Sequence, residues 1–204
     1  MSEDAIRARD ADIIGREPRM LPLPDDQVTQ EMRDVAAQLR AAAGLAPDDY
    51  IPEYMRTVLR HTTLYRLHSD FAAELMAKGD LSGRDRELIV LRVGWLCRAP
   101  YEWNSHVQIA RRIGVLSDAE IAAVTVGSSD PIWADHERAV LRAVEELLDD
   151  AMITDATWDA LSAGLSERQL LELPILIGQY QGVAYLQNSF RMRLMPGQVG
   201  LTAR

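Results

Sequence analysis

One segment of this chain occurs twice, and the two copies align without a gap. Residues 81–106 and residues 165–190 share seven identical positions, spread over the start, the middle and the end of the segment. In the first copy these positions are Leu81, Ser82, Arg84, Gly94, Tyr101, Asn104 and Ser105. Because repeated sequence is typical of repeated structure, we expect both copies to form the same structural unit.

At three key positions only the first copy has ionisable residues. Glu87, Glu102 and His106 of the first copy are replaced by Leu, Leu and Phe in the second. A scaffold that accepts three apolar side chains at these places does not need ionisable ones merely to fold. The contrast therefore directs the search for function to the first copy.

The composition fits a single domain with a sizeable core, since 48% of the 204 residues are hydrophobic. The net charge of −9 argues against nucleic acid and anionic membranes as partners, because both attract clustered Lys and Arg. A single cysteine excludes an internal disulfide framework and favours a reducing compartment. The N-terminal residues lack an apolar signal core, and no apolar run is long enough to span a bilayer, so we expect a cytoplasmic protein.

The pattern of apolar residues and helix breakers is helical almost throughout, which predicts an all-α fold. After a Pro-rich arm, Asp25 is expected to cap a first helix that runs towards Gly44. A second helix is predicted from about Glu53 to Lys78. Further predicted boundaries are the caps Ser82, Ser117 and Thr154, the first-turn proline Pro100 and the terminating glycine Gly114, and the second copy follows from Ser166.

Residues 1–48 are expected to form the arm and first helix, and residues 49–204 the main helical domain, together one compact domain. The helix after Ser82 is apolar on nearly all sides, since residues 88–93 leave only Arg92 to face water. Such a helix is buried either among the helices of its own chain or between subunits. We expect a homo-oligomer, although a buried central helix in a monomer gives the same pattern.

Glu102 and His106 lie four residues apart on one helix and therefore share a face. Glu87 lies in the first turn of the preceding helix, and a hairpin of the two helices permits all three to meet. A carboxylate beside an imidazole orients the ring and raises its pKa, which suits general acid–base chemistry. A structural alternative stays open for each carboxylate: Glu102 falls where acids cap helices, and Glu87 lies in a run of charged residues.

Four further residues are candidates for substrate binding. They are Arg92, whose planar fork matches a carboxylate, and the aromatic residues Trp95, Tyr101 and Trp103. Their structural alternatives are an ion pair for Arg92 and core packing for the rings. The sequence has no HExxH motif, cysteine cluster or Gly-rich phosphate loop, so we expect neither a metal nor an organic cofactor.

The stretch RELIVLRVGWLCRAPYEWNSHVQIARRIGVLSDAEI resembles the core motif of the carboxymuconolactone decarboxylase family, which includes the alkylhydroperoxidase D-like proteins. The resemblance extends over residues 50–195. It implies an all-helical fold and assembly into homotrimers or homohexamers around this helix pair. It also implies a small-molecule substrate.

Peroxidase members of that family carry a CxxCxxxH motif preceded by a Glu. Glu87 and His106 fall on the family's Glu and His, but the two cysteine positions fall on Ala99 and Glu102. The one cysteine of the chain, Cys97, has no partner within it, which argues against a thiol–disulfide peroxidase. The resemblance instead implies decarboxylase-type chemistry, in which a carboxylated lactone loses carbon dioxide.

The same resemblance implies that His106 transfers a proton while Glu87 and Glu102 orient its ring. We therefore expect a cofactor-independent lyase or isomerase that acts on a small, oxygenated, anionic substrate of aromatic or lactone catabolism. Two alternatives stay open. One is a non-catalytic helical oligomer that binds a small ligand, and the other is an antioxidant role through Cys97.

Overall fold

A computed structural model describes residues 1–42 and 50–203 of the chain, and within these ranges it is helical without any strand, which confirms the all-α prediction. The α-helices are α1 (Glu3–Ile13), α2 (Gln30–Ala42), α3 (Glu53–Val58), α4 (Thr62–Lys78), α5 (Gly83–Leu96), α6 (Pro100–Ile113), α7 (Asp118–Val126), α8 (Asp135–Asp150), α9 (Asp155–Ser162) and α10 (Glu167–Phe190). In the same described ranges, 3₁₀ turns span Asp25–Gln27, Leu59–His61 and Gly200–Thr202. None of the helices in these ranges has the combined length and apolar character that crossing a membrane requires.

The chain divides into two compact units, one of Met1–Glu17 with Asp80–Arg204 and the other of Pro18–Gly79. The expected boundary between residues 48 and 49 lies outside the described residues. The observed division falls elsewhere because α1, which the sequence pattern did not predict, belongs to the larger unit. Its Ile6 is buried in the same core cluster as Leu201.

The smaller unit contains α2, α3 and α4, and its first helices begin and end differently from the prediction. Asp25 starts a 3₁₀ turn and pairs with Arg56, while the Thr29 hydroxyl accepts from the N–H of Met32 at the start of α2. The predicted end at Gly44 lies outside the described residues. The predicted helix from Glu53 to Lys78 is interrupted by the 3₁₀ turn Leu59–His61. The His61 ring accepts a hydrogen bond from the N–H of Leu64 and so forms a new N-terminal cap, at which α4 begins.

The larger unit is built around α5, which contacts α6, α7, α8 and α10. Its apolar residues Leu88, Ile89, Val90, Leu91 and Val93 are all 0% exposed. Burial of this run is thus achieved within one chain. The apolar character of α5 therefore gives no argument for or against self-association.

The predicted caps Ser82, Ser117 and Thr154 of the larger unit are confirmed. These three residues and Ser166 each accept a hydrogen bond from a backbone N–H in the first turn of the following helix. Gly114 ends α6 in the left-handed conformation with φ of 70°. Each side-chain cap stabilises its helix by about 1 kcal/mol, so local sequence alone fixes where these helices begin.

The two copies of the repeated segment do not form the same structural unit, although both are helical. The first copy is a hairpin of α5 and α6, whereas the second is the single helix α10. The hairpin turns at Arg98, which has φ of 49°, and Pro100 then starts α6. The second copy has Ala184 where the first has Pro100, so nothing stops the helix there.

Candidate functional site

The hairpin brings together the three ionisable residues that distinguish the first copy. His106 Nδ1 lies 2.9 Å from Glu87 Oε2, and His106 Nε2 lies 3.2 Å from Glu102 Oε1. The exposed fractions of Glu87, Glu102 and His106 are 2%, 5% and 6%. The cluster is therefore a buried imidazole held between two carboxylates, one from each arm of the hairpin.

Local sequence and one glycine set this geometry. Ser82 starts α5 one turn before Glu87, and Pro100 starts α6 so that Glu102 lies in its first turn. The two helices approach closely at Gly94, where a Cβ atom would lie 3.3 Å from the backbone nitrogen of Trp103. A larger residue at position 94 would separate the arms that carry Glu87 and His106.

Burial alone would lower the pKa of His106, because it disfavours the charged imidazolium. The charge of Glu87 and the hydrogen bonds to both carboxylates more than offset this effect and raise the pKa to about 10. An imidazolium has a proton on each ring nitrogen and can donate to both carboxylates at once. At neutral pH His106 is therefore protonated and can donate a proton. Its pKa is raised, as the neighbouring carboxylates led us to expect, but to a value well above neutral pH.

Helix α10 forms the third wall of the site, and sequence reasoning missed it. Gln187 Nε2 donates to Glu102 Oε2 over 2.6 Å, and both residues are buried. The ring of Tyr180 stands perpendicular to the His106 ring with centroids 5.2 Å apart. Burial, with the charges of Glu102 and Glu87, raises the pKa of Tyr180 well above its ordinary value and keeps the phenol neutral.

Arg92 is not brought to the cluster. It follows Glu87 by five residues, which places it about 140° away around the helix. Its Nη1 donates to the carbonyl of Val124 over 2.8 Å, and its Nη2 pairs with Glu145 over 2.8 Å. Gly127 leaves room for this guanidinium, since a Cβ there would overlap it. The geometry supports the ion-pair alternative for Arg92, and its proposed substrate contact gains no support.

Two of the aromatic candidates belong to the core of the larger unit. Trp95 and Trp103 are 4% and 0% exposed, and their rings pack with centroids 5.0 Å apart. The Trp103 indole N–H donates to the carbonyl of Ala203 over 2.8 Å. Tyr101 lies half-buried in the first turn of α6. Direct substrate contact by these three residues stays a prediction.

Cys97 lies at the hairpin turn, where burial raises the pKa of its thiol to about 11. A thiol with so high a pKa is almost entirely protonated at neutral pH, and the thiolate is the reactive form. Its backbone carbonyl accepts a hydrogen bond from Asn188 on α10. The environment of Cys97 is therefore unfavourable for peroxide chemistry.

A metal ion would need a cluster of suitably placed donors. Within residues 1–42 and 50–203, no group of three or more His, Cys, Asp or Glu side chains is arranged to hold one. In the site itself both His106 nitrogens already face carboxylate oxygens. Gln187, which donates to Glu102, and Tyr180, which packs on His106, complete the walls of the cluster.

The raised pKa of His106 predicts how stability depends on pH. The folded-state pKa of about 10 exceeds the ordinary value of 6.5, so protonation stabilises the fold fully below pH 6.5 and progressively less as the pH rises towards 10. We expect the free energy of unfolding to fall by a few kcal/mol between pH 6.5 and about 8.5, as measured by urea denaturation. The upper limit stays below the range in which phenols titrate.

The control for this measurement is the variant Glu87→Leu/Glu102→Leu/His106→Phe, which carries the second copy's residues. It should show little change in stability over the same pH range. An equal slope in both proteins would show that another group is responsible.

Comparisons with known proteins show which family model and which solved structures this chain is similar to. The model of the carboxymuconolactone decarboxylase family matches residues 62–146, a stretch that includes Glu87, Glu102 and His106 but not α10. No protein of curated function matches the chain. The family match thus covers the hairpin and leaves the third wall outside it.

Several solved structures have the same fold. An uncharacterized peroxidase-related protein from Ralstonia eutropha, with an alkylhydroperoxidase AhpD core, is 18% identical with a TM-score of 0.70, over 89% of this chain and 95% of its own. A similar protein from Silicibacter is 18% identical with a TM-score of 0.71, over 90% and 96%. A variant of the debrominase Bmp8 in complex with 2,3,4-tribromopyrrole is 14% identical with a TM-score of 0.72, over 88% and 93%. At these identities the likeness establishes an AhpD-like helical fold.

Proposed function

We propose that this chain, of which residues 62–146 match the model of the carboxymuconolactone decarboxylase family, is a cofactor-independent lyase or isomerase that acts by proton transfer on a small, oxygenated, anionic substrate such as a carboxylated lactone. The observation that carries the proposal is the His106 ring, held within hydrogen-bond distance of Glu87 and Glu102. A positioned acid or base of this kind accelerates a reaction by about 10²–10⁴-fold.

In the proposed reaction the bond between a lactone carbon and its carboxylate breaks, and carbon dioxide leaves. The electron pair of that bond remains on the lactone as a dienolate. His106 then donates a proton to a carbon atom of the dienolate. The proton comes from Nε2, because the contact of Nε2 with Glu102 is the longer of the two, at 3.2 Å. Glu87 holds Nδ1 throughout, and a proton from water restores the imidazolium.

The charge of the cluster favours loss of carbon dioxide. Two carboxylates and one imidazolium leave one excess negative charge in a buried place. A substrate carboxylate beside them is destabilised, while the dienolate that takes over its charge is stabilised by the imidazolium that protonates it, and both effects lower the barrier to decarboxylation. Gln187 steadies Glu102 in this arrangement through the 2.6 Å hydrogen bond.

A non-catalytic ligand-binding protein is the second candidate, and the burial of the cluster is what favours it. Because His106 is only 6% exposed, a substrate must shift a neighbouring side chain in order to touch it. A binding protein would show affinity for lactones without turnover. An antioxidant role through Cys97 is disfavoured by the raised pKa of its thiol.

Self-association as a homotrimer or homohexamer remains part of the proposal. Its support is an apolar face of α10 that is open to solvent in the single chain. Leu171, Ile175 and Tyr185 are 68%, 40% and 58% exposed on this helix. Exposed apolar side chains grouped on one face are typical of a surface that meets another protein.

The test is to incubate the purified protein with 4-carboxymuconolactone and to measure the release of carbon dioxide. We expect release by the wild type and none above background by Glu87→Leu/Glu102→Leu/His106→Phe, which keeps the fold but lacks the acid. Binding of the lactone without release would favour the ligand-binding alternative. Equal release by both proteins would remove the cluster from the mechanism.

A further inference from the structure

The cluster offers no net positive charge to attract an anionic substrate. Glu87, Glu102 and protonated His106 together repel an anion, so a substrate carboxylate requires a cation that is not part of the cluster. Arg92, the cation expected from sequence, is occupied by Glu145 and by backbone carbonyls. A different guanidinium must therefore attract the substrate.

Arg86 has the required free hydrogen-bonding edge. Its Nη1 donates to the carbonyl of Leu81 over 2.7 Å, and its Nε is buried without a hydrogen-bond partner. Within the described residues no acceptor meets the edge formed by Nε and Nη2, which is a geometry that binds both oxygens of a carboxylate. A buried N–H without an acceptor costs about 1–3 kcal/mol, which a ligand that supplies one would recover.

Arg86 also acts on the site through its charge. It precedes Glu87 on α5, and its positive charge partly offsets the rise in the pKa of Tyr180 that burial and the two carboxylates cause. The Tyr180 ring in turn packs on the His106 ring, with centroids 5.2 Å apart. Tyr180 is therefore influenced by both residues, by Arg86 through its charge and by His106 through ring packing.

We infer that Arg86 is the substrate-docking residue of this site and that its Nε–Nη2 edge binds a substrate carboxylate beside His106. The inference rests on the proposed function for the nature of the substrate. An ion pair with arginine stabilises a carboxylate and so opposes its conversion to carbon dioxide. Arg86 consequently holds a carboxylate that the reaction retains, and the substrate carries a second one that it loses.

The test is a binding measurement that needs no turnover. The probes are 5-oxotetrahydrofuran-2-acetate, a saturated lactone with one carboxylate and no conjugated system to accept electrons, and its neutral methyl ester. By calorimetry at pH 7 we expect the wild type to bind the acid between about ten- and a hundredfold more tightly than the ester. Arg86→Met should remove this preference, and Arg86→Lys should restore only part of it, because lysine keeps the charge without the fork.

The matched control is Arg112→Met, which removes an exposed arginine from the last turn of α6 and should leave the preference unchanged. Thermal unfolding establishes that each variant is folded before its binding is compared. Equal binding of acid and ester by the wild type, no binding of either probe, or an undiminished preference in folded Arg86→Met would each overturn the inference.

The result is separable from the test of the proposed function. Preference for the acid through Arg86, without release of carbon dioxide from 4-carboxymuconolactone, would keep the docking residue and remove the lyase. Release of carbon dioxide with unchanged kcat/KM in Arg86→Met would keep the lyase and remove the docking residue.

Discussion

The variant Glu87→Leu/Glu102→Leu/His106→Phe should unfold at a denaturant concentration at least as high as that of the wild type, whereas His106→Phe alone should lose about 3–5 kcal/mol of stability. The single change leaves two buried carboxylates facing each other without the imidazolium between them. The triple change removes every charge and supplies the side chains that the second copy carries. Replacing a buried charge cluster by apolar groups of similar size is often neutral or stabilising.

Urea denaturation at pH 7 measures both effects. His136→Phe is the matched control, because His136 pairs with Asp85 but its side chain is 39% exposed, so its loss should cost far less. In the triple variant Gln187 loses the carboxylate that it donates to, which costs about 1–3 kcal/mol and sets a limit on the gain. A triple variant less stable than His106→Phe alone would mean that the cluster holds the fold together.

His106→Gln should lower kcat by about 10²–10⁴-fold on the substrate that the protein turns over, because it removes the acid while leaving a polar side chain between the carboxylates. Glu102→Gln should act differently. It removes one of the charges that raise the pKa of His106, so the imidazolium is lost at a lower pH. The alkaline limb of the pH–rate profile should therefore move to lower pH, with activity largely kept below it.

Steady-state kinetics over a range of pH values separates these two outcomes. His136→Gln serves as the control for a histidine outside the site and should change kcat by less than about twofold. A Glu102→Gln profile that coincides with that of the wild type would show that Glu102 does not govern the protonation of His106.

The sequence predicted the parts of this site that depend on local chemistry. Ser82 and Pro100 determine where α5 and α6 begin, and the four-residue spacing places Glu102 and His106 on one face. The hairpin then brings Glu87 within 2.9 Å of His106, a contact that the spacing permitted but did not require. These inferences held because caps and helix period act over a few residues.

The remaining parts depend on contacts between distant residues and could not be predicted. Glu145, which forms the ion pair with Arg92, is 53 residues away from it in the chain, and Gln187 is 85 residues away from Glu102. Nothing in the sequence around an arginine tells which distant acceptor will reach it. The second copy looked inert because it lacks ionisable residues at the three divergent positions, yet it supplies Tyr180 and Gln187 to the site.

The uninterrupted course of α10 limits what substitutions in the second copy can achieve. Introducing Glu at positions 171 and 186 and His at position 190 would not create a second cluster of this kind. On one straight helix, residues 171 and 190 are about 28 Å apart, whereas the turn at Arg98 folds their counterparts into contact. Substitutions at these three positions alone therefore cannot rebuild the cluster in the second copy, whose helix instead contributes Tyr180 and Gln187 to the site of the first.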